Sequence, residues 1–210
     1  MIKGSSGRVF HYKNLVIEMH PEVYEPAEDT FQLLEAINVS KEDKVFEIGT
    51  GCGIIALVCA EDGADVVCSD VNPFAVELTR RNYSLNKSYI KGDFEVRLGD
   101  LFSVLKPDEK FDVIIFNPPY LSTQGGDLVG GSGWFDIATN GGRDGLMLIK
   151  RFIHGLHRFL DKNGCAYFVF SSLSNESKLK QILFKTNFKV ETLLKRYYDD
   201  EQLNIYHLFF

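Results

Sequence analysis

No CxxC pair occurs among the four cysteines, Cys52, Cys59, Cys68 and Cys165, and all four lie in apolar stretches. That spacing builds neither a zinc site nor a disulfide framework, so reduced, buried thiols are expected. The five histidines show no ligand spacing either, and His154 and His157 are expected on a helix surface. No metal site is expected. The opening MIKGSSGRVF lacks the apolar core of a signal peptide. No apolar run is long enough to cross a bilayer, which leaves the cytoplasm as the expected location. Basic residues are in deficit, 23 Lys and Arg against 29 Asp and Glu, for a formal charge of −6. This balance counts against nucleic acid as a partner. Internal repeats, low-complexity tracts and linkers are absent as well.

The chain does hold enough apolar residue for one large core: 45% of its 210 residues are hydrophobic and 25% charged. A single domain over 1–210 is expected, with 1–24 as a hairpin extension made by VFHY and NLVIEMH on either side of Lys13. PAEDTFQLLEAI reads as a helix, with Pro26 at its first position and Glu28 and Asp29 favouring the first turn. Strand and helix patterns then alternate: DKVFEIG, IIALVCAED, ADVVCSD, PFAVELTRRNYSLN, FEVRLGD, FDVIIFN. In the second of these helices Asn72 is the expected cap, with Ala75, Leu78, Asn82 and Leu85 on one side. After a Gly-rich stretch come the helix DGLMLIKRFIHGLHRFL, with Asp144 as its expected cap, the strand GCAYFVFSS and the helix NESKLKQILFK. Two final apolar runs are separated only by the turn YDDEQ and should pair antiparallel. The alternation predicts an α/β fold: a doubly wound, mostly parallel seven-stranded sheet with a C-terminal antiparallel hairpin.

In such a sheet, ligands bind beyond the carboxyl ends of the strands. Four strand ends are polar or glycine-rich: EIGTGCG, CSDVN, LGDLF and FNPPY. In the first, Glu47 precedes Gly49, Gly51 and Gly53, which let the backbone turn and approach a ligand. A dinucleotide fingerprint would need a glycine where Ile54 stands. The acid repels a pyrophosphate but suits a cationic ligand. Asp70 ends the next strand, about 20 residues on, where an acid can accept from ribose hydroxyls. Capping is the competing role, better served by Asn72. Asp100, beside the apolar Leu101 and Phe102, offers an acceptor and a wall of the kind an adenine needs; alone it could equally be a turn.

Taken together, these three strand ends resemble the class I S-adenosylmethionine-dependent methyltransferases, from about Glu25 onward. The run Asn117-Pro118-Pro119-Tyr120 is then similar to the (N/D)PP(Y/F) motif of enzymes that methylate planar nitrogens. The lone pair of an amide or exocyclic amine is delocalised, so the nitrogen is a poor nucleophile. The Asn117 side-chain oxygen and the Pro118 carbonyl can grip its N–H groups and favour pyramidalisation. The prolines stiffen the turn without a competing N–H, and Tyr120 offers a ring to stack on a planar substrate. No general base is evident.

VYEPAEDTFQLL, Val23 to Leu34, is similar to the segment preceding the cofactor domain in short, archaeal and eukaryotic HemK-type glutamine methyltransferases, and GGRDG, Gly141 to Gly145, is similar to that family too. The resemblance implies methylation of the Gly-Gly-Gln glutamine of class I translation termination factors. It assigns Thr30, Glu47 and Gly49 to the methionine end of the cofactor, with Gly51 in the same turn. Asp70 goes to the ribose, Asp100 and Leu101 to the adenine, and Asn117 to both methyl and acceptor. It also implies a small zinc-binding activator protein covering a sheet edge, with FEVRLGD as the edge strand; Arg97 and Glu95 could instead keep that edge soluble. The bacterial members' N-terminal helical recognition domain has no counterpart in the two dozen residues before the motif. An exocyclic amine of adenine or guanine in RNA or DNA is the alternative acceptor, and lysine a further one. Lys178, Lys180, Lys185, Lys189, Lys195 and Arg196 are expected to form a solvated face. Leu121 to Asn140 is expected to rim the substrate crevice, with Trp134 either gripping substrate or packing.

Overall fold

The computed structural model describes residues 8–120, 133–134 and 140–210. A two-stranded hairpin, β1 (Val9–Tyr12) and β2 (Leu15–Glu18), turns at Lys13, whose φ is 52°. The main sheet holds β3 (Lys44–Ile48), β4 (Asp65–Asp70), β5 (Phe94–Leu98), β6 (Phe111–Phe116), β7 (Leu160–Ser171), β8 (Lys189–Tyr198) and β9 (Glu201–Phe209). Their order is β5-β4-β3-β6-β7-β9-β8. Neighbours are parallel except around β9, which runs antiparallel to both β7 and β8. The expected terminal hairpin therefore forms, with its second strand placed inside. Burial explains the choice: Leu203, Ile205, Tyr206 and Leu208 of β9 are buried, whereas most of β8 is exposed. The more apolar strand takes the covered place, and the strand rich in Lys, Arg and Glu takes the edge.

Helices cover both faces. α1 (Glu28–Ala36), α2 (Ile54–Asp62), α3 (Pro73–Asn86) and the hairpin pack on one; α4 (Met147–Phe159) and α5 (Glu176–Phe184) pack on the other. Alternate residues of the central strands feed the two cores. Val45, Val113 and Ile115 enter the first, and Phe46, Ile48, Ile114 and Phe116 the second. Burial on both sides is why these strands read as unbroken apolar runs. Connections run outward from β3 in one direction and from β6 in the other. The crevice between these two strands is thus the switch point at which open α/β sheets bind ligands.

The hairpin is fastened by two side chains. Asn86 accepts from Val16 N (2.8 Å) and donates to Val16 O (2.7 Å); Asn82 does the same with Glu18 N (2.8 Å) and Glu18 O (3.1 Å). Four helical residues rise about 6 Å, and two strand residues advance about 6.6 Å. Amides one helical turn apart therefore match alternate peptides of β2 like a missing neighbour strand. Both asparagines are fully buried, and Leu85, expected beside them, is half exposed. Satisfied polar groups have displaced an apolar one because the facing surface is backbone, not side chain.

Two expected helix starts also moved. Pro26 lies outside α1, which begins at Glu28 with Ala27 as its uncapped N-cap residue. Asp144 does not cap α4, which begins at Met147 after Leu146. Its carboxylate accepts from Leu146 N at 3.2 Å and pairs with Lys178 of α5 at 2.9 Å, so it joins two helices. All four cysteines are free. Among the described residues no group of three or more His, Cys, Asp or Glu could hold a metal, and no helix is long and apolar enough to cross a membrane.

Candidate active site

The carboxyl ends of β3, β4, β5 and β6 open onto one cavity. Glu47, Gly49, Gly51, Asp70, Asp100, Leu101, Asn117 and Pro119 line it, and Thr30, Tyr24 and Trp134 reach it from other segments. On the β3 side the glycine turn requires its glycines. Gly49, Gly51 and Gly53 all have φ between 57° and 88°, a region other residues enter at a cost. A Cβ on Gly53 would lie 2.7 Å from Thr79 Cγ2.

Carboxylates knit this turn. Glu47, buried at the end of β3, accepts from Thr50 Oγ1 (2.7 Å) and Ala56 N (3.1 Å) through one oxygen. Burial pushes its carboxyl up to about 8, against the opposing effect of those two bonds. Asp70 accepts from Gly51 N and Asn72 N, both at 2.9 Å, and burial raises its pKa as well. Asn72 is the cap of α3 as expected, accepting from Phe74 N at 2.9 Å and donating to Glu22 O at 2.7 Å. At the end of β5, Asp100 caps the short 3-10 turn Leu101–Val104 and pairs with Arg151 of α4 at 2.6 Å. Leu101 is buried with φ at 48°.

The β6 side is built differently. Asn117 Nδ2 donates to Asp29 Oδ2 at 3.1 Å, and Thr30 Oγ1 stands at 3.5 Å. Asp29 is itself buried; its other oxygen accepts from Thr30 N at 2.6 Å, and Tyr24 donates to it at 3.3 Å. Asp29 Oδ2 accepts here, so it is the NH₂ end of the Asn117 amide that faces it. The oxygen end, Oδ1, is left buried with no hydrogen-bond partner among the described residues. An orphaned buried acceptor is costly in a native protein, and here it belongs to a residue that lines the cavity.

The turn after Asn117 is held from behind. Pro118 is buried and Pro119 partly so. Ser174 Oγ donates to Tyr120 O at 2.9 Å. A Cβ on Gly145, where φ is 70°, would come within 2.6 Å of that carbonyl and 2.1 Å of Ser174 Oγ; one on Gly141 would reach Pro119 O at 2.9 Å. The GGRDG run is therefore the seat on which the Pro-Pro-Tyr turn rests. Tyr120 is half-buried, and burial, with Asp29 next in effect, raises its hydroxyl pKa. It belongs to the wall behind the turn and packs on the first core. Apart from Gly133, Trp134 and Asn140, the expected rim Leu121 to Asn140 lies outside the described residues.

Of the expected residues, Thr30, Glu47, Gly49, Gly51, Asp70, Asp100, Leu101, Asn117 and Pro119 meet at the cavity, whereas Pro118 and Tyr120 are not in its lining. Sequence reasoning missed Asp29, Tyr24, Arg151 and Ser174. Asp29 carried one available signal, an acid adjoining Thr30 in a segment already singled out, but it read as a helix-dipole residue.

A family of small-domain methyltransferases, the Methyltransferase small domain, matches residues 25–129. A protein of Methanocaldococcus jannaschii named for protein N5-glutamine methylation is 40% identical over 87% of this chain and 89% of its own length. Human methyltransferase HEMK2 is 31% identical, covering 88% of each chain. The chain belongs to the HemK-type methyltransferases. Its fold is that of class I enzymes, shared with the E. cuniculi Mtq2–Trm112 complex responsible for methylation of the eRF1 translation termination factor. That likeness has a TM-score of 0.67 at 24% identity and covers 89% of this chain and 98% of that one. Solved tRNA and rRNA methyltransferases share the fold at 17–19% identity. The cofactor of this HemK-type enzyme is S-adenosylmethionine, and the cavity fits it: a sharp glycine turn, carboxylates at three strand ends, and apolar walls at Ile48, Val71, Leu101 and Phe116.

Proposed function

We propose that this HemK-type enzyme methylates the side-chain amide of the glutamine in the Gly-Gly-Gln motif of a class I termination factor. The observation that carries the reading is the unpartnered Asn117 Oδ1, locked in orientation by Asp29. A glutamine NH₂ group is the complement of that oxygen and of the Pro118 carbonyl. Bound S-adenosylmethionine supplies an electrophilic methyl group. The residues of the chain do the rest. Thr30, Glu47, Gly49 and Gly51 hold the methionine end, Asp70 the ribose, and Asp100 with Leu101 the adenine. Asn117 and Pro118 hold both N–H groups of the acceptor so that its lone pair faces the methyl carbon. With the cofactor bound, that lone pair would take the methyl group while the sulfonium–methyl bond gave its electron pair to sulfur. The nitrogen, now cationic and acidic, gives its proton to water, so a general base is not required.

An exocyclic amine of a nucleobase is the second reading, because its planar NH₂ makes the same demands and RNA methyltransferases share the fold. Radiolabelled methyl transfer separates the two. Label on a termination factor that is lost in its Gly-Gly-Gln→Gly-Gly-Ala variant supports glutamine; label on bulk RNA alone overturns it.

The edge strand β5 is proposed to seat a small zinc-binding activator protein. Arg97 is bound on both sides, to Glu95 and Glu109, at 2.8 Å each. Its charge is thus spent internally, while Leu98 is 57% exposed on an edge with no neighbour strand. Native mass of the chain with and without such a protein tests this; two non-associating species would leave the edge as a free surface.

A further inference from the structure

On the face away from the hairpin, a groove runs between α4 and α5. Lys150, His154 and His157 line it from α4, at the i, i+4, i+7 spacing of one helical stripe; Lys178 and Gln181 answer from α5 and Lys185 from its C-cap, at i, i+3, i+7. Asp144 is the one carboxylate in the lining, and it is occupied by Lys178 at 2.9 Å. Among the described residues neither Lys150 nor Lys185 forms an ion pair, and both are exposed. A chain of net charge −6 thus keeps uncompensated positive charge in one concave place.

The groove also offers apolar surface. Met147 at its head is 52% exposed and Ile182 is half-buried, over the buried Leu146 and Ile153. The head of the groove also adjoins the reaction centre: Leu146 directly follows Gly145, whose backbone seats the Tyr120 carbonyl. Whatever lies in the groove can therefore be continuous with whatever presents its nitrogen to Asn117.

We propose that this groove docks an acidic amphipathic segment of the methyl-accepting protein, away from the acceptor glutamine itself. This rests on the protein-substrate reading above and adds how the protein is gripped. Charge complementarity selects an acidic partner, and the apolar Met147 and Ile182 select a polypeptide with apolar side chains to match, the usual occupant of a helix-lined groove. A phosphate backbone would gain nothing from Met147 and Ile182, and the overall negative charge opposes its approach.

The test is the double charge reversal Lys150→Glu/Lys185→Glu, at exposed positions outside the cofactor cavity. With the intact termination factor, KM should rise about tenfold at low salt with kcat unchanged. Turnover of a short Gly-Gly-Gln peptide should stay the same. Equal KM values for wild type and variant on the intact factor would overturn the proposal. A second arm does not depend on glutamine chemistry: fluorescence anisotropy of a labelled Glu/Leu amphipathic helical peptide and of a single-stranded RNA of equal charge. Peptide binding that the double reversal abolishes supports the groove as described. Binding of the RNA alone, or peptide binding indifferent to the reversal, overturns it. Failure of the glutamine reading would instead appear as a wild-type enzyme that methylates neither protein nor peptide while still binding the helical peptide.

Discussion

The two sides of the cavity are fastened by different means. On the cofactor side, carboxylates grip backbone: Glu47 holds Ala56 N, and Asp70 holds Gly51 N and Asn72 N, over spans of 2 to 19 residues. On the acceptor side, side chain grips side chain across 88 residues, Asp29 to Asn117. The first arrangement shapes the chain, so damage there is damage to a turn. The second only aims an amide already placed by its strand, so damage there is damage to chemistry. Substitutions on the two sides should therefore separate binding and stability from turnover.

Asn117→Ala is the strongest break. It removes the aimed oxygen while leaving β6 intact, so kcat should fall roughly 10²- to 10³-fold. Titration calorimetry with the demethylated cofactor should find its affinity nearly unchanged; a parallel loss of affinity would place Asn117 on the cofactor side instead. Next comes Asp29→Asn. Nearly isosteric, it can offer a donor to the Asn117 amide and so allow it to turn over. A roughly ten- to hundredfold lower kcat is expected, with KM for the cofactor little changed. Wild-type kinetics in this variant would show that the Asn117 orientation is set without the carboxylate.

Glu47 sharpens the cofactor side through pH. Its carboxyl is raised from 4.5 to about 8, so between those values the folded chain holds a proton that the unfolded chain has lost. The free energy of unfolding then falls as pH rises through that window. Glu47→Gln lacks this dependence, so the melting temperature of the variant relative to wild type should climb from pH 5 to pH 8 in cofactor-free protein. A constant offset would mean that Glu47 is ionised throughout. The smallest effect is expected at Arg151→Ala, because the pair with Asp100 is half exposed on both sides. Cofactor affinity measured by equilibrium binding should change less than about threefold.

What could be read in the sequence was whatever acts through near neighbours. Alternating periodicities, glycine turns and strand-end acids declare themselves over a few residues, and the sheet and cofactor crevice followed from them. The acid pair Glu28-Asp29 was legible only as helix-dipole chemistry, since the partner that gives Asp29 its role arrives 88 residues later. Leu85 was misplaced for the same reason: an apolar stripe was extended where the surface to be met was the open edge of β2. Asp144 looked like a cap because a sequence shows the helix that follows an acid, not the lysine 34 positions on. Ser174 offered no local cue at all.

The asparagines of α3 have one more consequence. From Val16 to Glu22 the chain is hung on Asn86, Asn82 and Asn72, its partners lying 50 to 70 residues ahead. During synthesis the hairpin leaves the ribosome before α3, yet those three amides become available only after α3 has emerged and wound. Both strands are therefore made before the helix that anchors them, and their amide protons should exchange in step with the unwinding of α3.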